Sequence, residues 1–284
     1  FNWFIPETTP ASLKPENAAR FNYGVFSART ANIYTTSLLK QWMQWSLGQK
    51  APPDEVWEKE GRYYDPFRPN IEPQGFESVE ELLASRELTL KAFKRCILES
   101  DVFVFTLGLT ESWFNSEQGY EYPMCPGTVA GDFDAAKHSF RNQKFWEVMG
   151  NMKEVIAGMR SLNNSLKFLL TVSPVPLTAT MSGRHVLVAT MESKSILRAA
   201  AATLRDTQGS FVDYFPSYEV INAPPFRGAF FEPNLRSVNH TGVAHVMDLF
   251  FASLVKKYGK SVLSAAQDRK STRLNSSHIP LSRM

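Results

Sequence analysis

The sequence has few cysteines and no long hydrophobic run, and both absences exclude classes of protein. Cys96 and Cys125 are the two cysteines among 284 residues, too few for the disulfide framework of a secreted scaffold. No apolar stretch approaches the roughly 20 residues that a membrane-spanning helix needs. A reducing compartment is the simplest interpretation, so the composition predicts a cytoplasmic protein that does not associate with membranes.

The sequence also lacks an excess of charge of one sign once its C-terminal segment is set aside. The whole chain has 31 Lys and Arg against 28 Asp and Glu, a net charge of +3. Residues 268–284 hold four of the basic residues and one of the acidic residues, which leaves 27 of each in residues 1–267. A balanced body gives no basis for binding nucleic acid or an anionic membrane.

The C-terminal segment, Asp268–Met284, resembles a translated sequencing adapter, because the residues from Asp268 to His278 fit one reading frame of such a sequence. We therefore exclude it from fold reasoning and predict an artefactual, disordered tail over residues 268–284. The remaining residues 1–267 are long enough, and hydrophobic enough, for one large domain with its own core.

Three apolar blocks stop abruptly in Gly, Pro, Ser or Thr: Phe103–Phe114, Leu169–Leu177 and Asp213–Val220. They predict buried strands at Val102–Leu107, Leu166–Val172 and Ser210–Phe215. Helical spacing of apolar residues gives the order helix, strand, helix, strand, helix, strand, helix. This alternation predicts an α/β fold with a mainly parallel sheet and helices on both faces. The carboxyl ends of its strands would form the edge where such folds build a site.

Capping residues and prolines predict where helices and loops lie. Asn32 or Thr30 is a candidate cap for a helix that runs to about Leu47. Ser78 with Glu81 matches a capping box. The helix that begins at Ser78 is predicted to end near Ser100, and the next covers about 142–160. A further helix has an apolar face over 197–204, and the last ends near Tyr258. Loops are predicted at 51–75 and 115–140.

Seven segments, in order along the chain, resemble the GSCFA family, which is similar to the SGNH/GDSL hydrolases. They are Tyr23–Thr35, Phe105–Trp113, Cys125–Phe133, Thr171–Leu177, Ser193–Arg198, Tyr214–Glu219 and Asn234–Met247. The resemblance implies a flavodoxin-like three-layer α/β/α sandwich and a serine nucleophile in the Gly-Ser-Cys-Phe-Ala block that names the family. That block is absent from this sequence. We expect it to precede Phe1, so that the first strand is missing and this fragment is inactive.

The resemblance also assigns candidate residues for binding the oxyanion and the substrate. Gly108, Thr110 and Glu111 fall where related hydrolases carry Gly-x-Asn-Asp, with the Asn donating to the oxyanion. Thr110 offers one hydroxyl instead, and Glu111 could hold the loop or orient a base. The alternative is a strand-end turn whose side chains cap local backbone. Gly24 is a candidate amide donor to the same pocket, or an ordinary turn glycine with φ > 0.

The last matching segment departs most from the hydrolase pattern Asp-x-x-His-Pro-Asn-x-x-Gly. Asn234 stands at the Asp position and Ser237 at the His position, and neither can do the original chemistry. His240 and His245 are the candidate substitutes as general base, although a histidine on a helix surface is more often a bystander. Asp213 or Glu219 could orient such a histidine, or cap the end of its strand.

Several other polar residues have a structural interpretation that we favour. Ser173 lacks the flanking glycines of a nucleophile elbow and is interpreted as a turn residue. Cys125 with His138 is a weak candidate pair. The aromatic loop at 51–75 could stack on sugars but more commonly pins itself to the body. No metal-ligand spacing or phosphate loop is present, so no metal or cofactor is predicted.

Two functions are therefore open. The first is a serine ester hydrolase or acyltransferase that acts on a small-molecule O-acyl ester, with a carbohydrate ester as one candidate. The second is a non-catalytic domain that keeps the fold and binds such a ligand, motivated by Asn234 and Ser237. A histidine within hydrogen-bond reach of the nucleophile position would favour the first. A solvated His240 and a buried His245 that faces the core would favour the second.

Overall fold

The protein is represented by a computed structural model in which residues 2–259 are described. The predicted tail over residues 268–284 lies outside the described residues. The helices are α1 (Pro15–Ala18), α2 (Thr36–Ser46), α3 (Val79–Glu99), α4 (Phe145–Leu162), α5 (Val186–Gln208), α6 (Ser217–Asn222) and α7 (His240–Tyr258), with 3₁₀ turns at Ala19–Phe21 and Pro224–Phe226. The strands are β1 (Trp57–Lys59), β2 (Arg62–Tyr64), β3 (Val102–Leu107), β4 (Glu111–Asn115), β5 (Glu121–Tyr122), β6 (His138–Asn142), β7 (Lys167–Val172) and β8 (Val212–Tyr214).

A parallel sheet of order β3-β7-β8 organises the molecule. Its register pairs Val102 with Lys167 and Leu107 with Val172, so β3 and β7 end level with each other. The crossovers between these strands contain α4 and α5, which pack against each other. The predicted α/β fold is confirmed: a parallel sheet flanked by helices, as in a three-layer α/β/α sandwich.

The prediction that β3 is buried on both faces is wrong for the face that carries Val102 and Val104. Val102 and Val104 are 42% and 39% exposed, whereas Phe105 and Leu107 are buried. Successive side chains of a strand point to opposite faces, and β3 lies at one end of the sheet among the described residues. An unbroken apolar run cannot reveal this difference between the two faces.

Two of the predicted helix starts can be compared with the observed caps. Thr35, and neither Thr30 nor Asn32, caps α2: its Oγ1 accepts a hydrogen bond of 3.1 Å from the Leu38 amide. The backbone before it is extended, and Ala31 has a φ of +55°, which keeps the helix from starting earlier. The Ser78 cap of α3 is confirmed, because Ser78 Oγ accepts from the Glu81 amide at 3.1 Å.

Short strands occupy regions where the sequence predicts loops. β4 pairs antiparallel with both β5 and β6 to give the order β5-β4-β6, and β1 and β2 form a hairpin. β4 begins at Glu111, four residues after β3 ends. The antiparallel sheet therefore starts directly beside the carboxyl edge of the parallel sheet.

The aromatic loop at 51–75 is pinned to the body, as we favoured. Trp57 and Phe67 are buried in the main core. Asp65 is fully buried between Arg68, at 2.8 Å, and Arg86 of α3, at 3.0 Å. Since both arginines bond the same carboxylate, the loop is anchored to α3 by a buried ionic cluster rather than offered to a sugar.

Candidate functional site

The three parallel strands end at one edge of the sheet, and the residues that follow them meet there. The Ser173 amide, just after β7, donates to the Leu107 carbonyl at the end of β3 at 2.9 Å. The Ser173 hydroxyl accepts from the Val175 amide at 3.2 Å, which agrees with its interpretation as a turn residue. We call Gly108, Thr110, Glu111, Ser193 and Lys194 the strand-end site.

Gly108 brings the backbone of two segments into close contact. The amides of Gly108 and Leu109 both donate to the Tyr34 carbonyl, at 3.1 and 2.9 Å. A Cβ at position 108 would lie 3.0 Å from that carbonyl oxygen, tighter than nearly all real Cβ contacts. The segment before α2 is therefore held against the end of β3, and the close approach favours glycine at this position.

Helix α5 supplies two side chains to the strand-end site. Lys194 Nζ donates to the Gly108 carbonyl at 2.7 Å. Ser193 Oγ accepts from the Thr110 amide at 3.2 Å. Both residues are buried, at 2% and 1% exposure. Consecutive residues of one helix thus contact the two sides of the turn that leaves β3.

Burial, and to a smaller extent the nearby positive charge of Arg236, lowers the pKa of Lys194 from 10.5 to about 7. Arg236 also acts on Tyr34, whose pKa is raised mainly by burial. The loop before α7, which carries Arg236, therefore lies close to the strand-end site. A lysine that titrates near neutral pH inside a cluster of polar groups is typical of functional sites.

Thr110 and Glu111 lie deeper than a solvated turn would place them. Thr110 has 0% exposure, and its hydroxyl has no hydrogen-bond partner among the described residues. The Glu111 carboxylate accepts from Thr180 Oγ1 at 2.7 Å. Burial, and to a smaller extent the charge of Glu192, raises the Glu111 pKa. A buried hydroxyl without a partner is uncommon and leaves Thr110 able to donate to a ligand.

A buried polar network lies behind Thr110. Its carbonyl accepts from the Gln143 amide at 2.8 Å, and Gln143 Nε2 donates to Ser37 Oγ at 2.9 Å. The hydroxyls of Ser37 and Thr35 donate to the Glu121 carboxylate. Glu121 is buried, and this burial raises its pKa to about 7. The network fixes the backbone of Thr110 relative to the first turn of α2.

Asn234 and Ser237 form a local turn with each other. Asn234 Oδ1 accepts from the amides of Arg236 and Ser237, both at 2.9 Å, and its Nδ2 donates to Ser237 Oγ at 3.1 Å. Both residues bond within their own loop, and Asn234 is exposed. These contacts account for the two polar side chains that occupy the hydrolase Asp and His positions.

The two candidate histidines lie in different surroundings. His240 is exposed at the first position of α7, whose cap is Asn239. His245 stacks on Phe230, with ring centroids 5.1 Å apart, and meets Phe226 edge-on at 5.6 Å. No hydrogen bond joins either ring to the strand-end site within residues 2–259.

Gly24 occupies an exposed turn with a φ of +73°. The space that a Cβ would take at this position is open. These features match the turn-glycine alternative, and they provide no contact between Gly24 and the strand-end site.

The remaining candidates have structural partners. His138 Nδ1 accepts from the Asp134 amide at 3.0 Å, which gives this ring a role without Cys125. Glu219 accepts from Arg198 and from the Tyr214 hydroxyl. Asp213 pairs with Arg205 at 3.6 Å and with Lys257 at 3.5 Å. The acidic residues near β8 thus pair with bases other than a histidine. Within the described range, no three His, Cys, Asp or Glu side chains converge as a metal-binding group.

A shallow cavity of about 330 Å³ adjoins the strand-end site between α5 and α6. A second cavity of about 400 Å³ lies next to it along α5 and shares Arg198 and Ala202 with it. The first cavity is lined by Lys194, Ser195, Arg198, Ala199, Ala202 and Tyr218. Both volumes are in the range of small-molecule sites, and Lys194 lies at the wall of the first cavity.

Sequence reasoning did not identify Ser193 and Lys194 as site residues. Both lie on the buried face of α5 that continues through Leu197 and Ala201. A lysine at helical spacing with buried apolar residues is unusual, because burying an ammonium group is unfavourable. That spacing was the available signal.

A sequence model of the GSCFA family matches residues 15–250 of the 284-residue chain. The chain belongs to the GSCFA family. Comparisons with curated proteins and with solved structures gave no match. Among the described helices, none has the length and apolarity to cross a membrane.

Proposed function

We propose that this member of the GSCFA family binds an O-acyl ester at the strand-end site and does not use His240 or His245 as a general base. One observation carries the proposal: His240 faces solvent, and His245 packs on Phe226 and Phe230. A general base must come within hydrogen-bond reach of the proton that it removes. Neither ring has such a relation to the strand-end site.

The donors of the strand-end site suit a carbonyl ligand. The unpartnered Thr110 hydroxyl and the Lys194 ammonium group both offer hydrogen bonds in a buried setting. Such donors stabilise a carbonyl oxygen, or the negative charge that develops on it. An ester of a small molecule, with a carbohydrate ester as one candidate, is the ligand class that we infer.

Binding and turnover of one ligand class test this proposal. We expect the full chain to bind an acetylated xylo-oligosaccharide in calorimetry more tightly than its deacetylated form. We expect no hydrolysis of p-nitrophenyl acetate above the rate without protein. Since a general base contributes about 100-fold or more to rate, hydrolysis that His240→Ala or His245→Ala reduces to that extent would contradict the proposal.

A second function, ester hydrolysis or acyl transfer with another base, is favoured by Lys194. Its pKa of about 7 leaves a neutral amine available at slightly alkaline pH, and such an amine can accept a proton from an attacking hydroxyl. This function predicts that kcat/KM rises with pH through about 7 and that Lys194→Met abolishes the rise. Absence of turnover at every pH would exclude it.

A further inference from the structure

We propose that Lys194 binds an anionic, carboxylate-type oxygen, so that the natural ligand of the strand-end site is an acidic molecule. This inference rests on the proposed function, because it names the ligand class of the same site. It goes beyond that function by assigning the recognition to a lysine of α5 and by predicting that a negative charge on the ligand strengthens binding.

The Lys194 ammonium group is buried without a counter-charge. Its exposure is 2%, its hydrogen-bond partner is the neutral Gly108 carbonyl at 2.7 Å, and within residues 2–259 burial and Arg236, not a carboxylate, determine its pKa. An ammonium group has three donors, so two remain available. A buried charge is strongly unfavourable unless it is paired, and a bound anion would supply the pairing.

Arg236 adds a second positive charge to the same place. Its repulsion lowers the Lys194 pKa beyond the effect of burial. An anion beside Lys194 would oppose both effects, because an opposite charge within about 4–6 Å favours the ammonium form. Lys194 itself carries one positive charge, and a carboxylate is the monoanion that we infer as its partner.

Thr110 provides a second polar group at the same junction. Its hydroxyl is buried without a partner among the described residues, and its amide contacts Ser193, the neighbour of Lys194. Thr110 and Lys194 therefore lie at the same junction, where the turn after β3 contacts α5. A hydroxyl that donates to a charged oxygen forms a stronger bond than one that donates to a neutral oxygen.

The groove between α5 and α6 accounts for the rest of the ligand. Lys194 and Tyr218 line the cavity of about 330 Å³, and Arg198 connects it to the neighbouring cavity of about 400 Å³. A ligand with its carboxylate at Lys194 would extend along this groove over Ala199 and Ala202.

Acetate and acetamide form a matched pair of probes, because they have similar shape and differ in charge. We would measure the melting temperature of the full chain at pH 6 with sodium acetate, with acetamide, and with sodium chloride at equal ionic strength. Three proteins are compared: the wild type, Lys194→Met, and Lys153→Met as the control at an exposed lysine of α4. The expected result is a concentration-dependent rise with acetate in the wild type and the control, and none with acetamide.

Lys194→Met is expected to weaken acetate binding by about tenfold or more, the loss of one charge-assisted hydrogen bond. Thr110→Val is a second variant that keeps the side-chain shape, and we expect it to weaken acetate binding without loss of folding. The inference is overturned if acetate acts no better than chloride, if acetamide acts equally well, or if Lys194→Met responds like the wild type. Binding of acetylated oligosaccharide without an acetate effect would refute the inference alone, and the reverse result would refute the proposed function alone.

Discussion

Replacing Lys194 with methionine should stabilise the protein in a pH-dependent way. The pKa of this buried amine falls from 10.5 to about 7 on folding, so the folded state binds fewer protons than the unfolded state between these pH values. The free energy of unfolding therefore rises with pH across this window. Methionine has a similar length and no charge, so Lys194→Met removes this pH dependence.

The expected magnitude follows from the two pKa values. A tenfold change in proton affinity corresponds to about 1.4 kcal/mol. Moving the Lys194 pKa from 10.5 to about 7 therefore destabilises the charged folded state by at most about 5 kcal/mol. This destabilisation is present in full below about pH 7 and disappears as the pH approaches 10.5. Lys194→Met should gain most stability at the acidic end of the window.

Urea unfolding at pH values between about 6 and 10 measures this difference for the wild type, Lys194→Met and the control Lys153→Met. We expect the gain of Lys194→Met over the wild type to shrink steadily as the pH rises, and the control to show no such trend. A gain that is the same at every pH would contradict the lowered pKa, because Lys194 would then titrate at its ordinary pKa when folded. A loss of stability at pH 6 would refute it as well.

Three further predictions concern buried groups outside the strand-end site. Asp65→Asn leaves two buried arginines without a carboxylate, and should lower the free energy of unfolding by about 3–5 kcal/mol. Urea unfolding measures this loss, and a loss under about 1 kcal/mol would argue against a buried ionic cluster. Gly131→Ala places a Cβ 2.7 Å from the Trp57 ring. It should lower the free energy of unfolding by about 1–3 kcal/mol more than Gly119→Ala, because Gly119 has a similar φ but open space around it. Equal losses in urea unfolding would count against this packing. Burial raises the pKa of Glu121 from 4.5 to about 7. Its contribution to the free energy of unfolding is therefore fully present below pH 4.5 and is lost as the pH rises through 7. Glu121→Gln should remove this pH dependence, and an unchanged dependence would contradict the burial of Glu121.

The elements that the sequence predicted best are those with strong local signals. β3 and β7 are continuous apolar runs, and α3 begins at a Ser78 cap that bonds three residues ahead. For these elements local chemistry and the tertiary fold agree, which is why periodicity sufficed to find them.

The antiparallel strands and the buried charges could not be found in the same way. β6 reads His-Ser-Phe-Arg-Asn and is a strand because β4 pairs with it, a contact that no local pattern indicates. Asp65 meets Arg86 across 21 residues of sequence. Such groups look like ordinary solvent-exposed charges until the fold brings their partners together.

The strand-end site also combines residues that local sequence signals predict with residues that only the tertiary fold brings together. Gly108 and Thr110 follow a predicted strand and could be placed at its end from the sequence. Lys194 comes to the same point from the interior of α5, 86 residues away, and only the packing of α5 on the sheet brings it there. The histidines were expected by analogy with a hydrolase motif, and the helix that carries them directs one to solvent and the other to phenylalanines.

The most direct test of the account is to map the ligand onto the backbone by NMR. When acetylated xylo-oligosaccharide is added to the isotope-labelled full chain, the largest amide shifts should fall on Gly108, Thr110 and Lys194. Shifts concentrated on the loop around Tyr63 and Tyr64 would contradict the account, as would saturable binding that leaves the amides at the end of β3 unchanged.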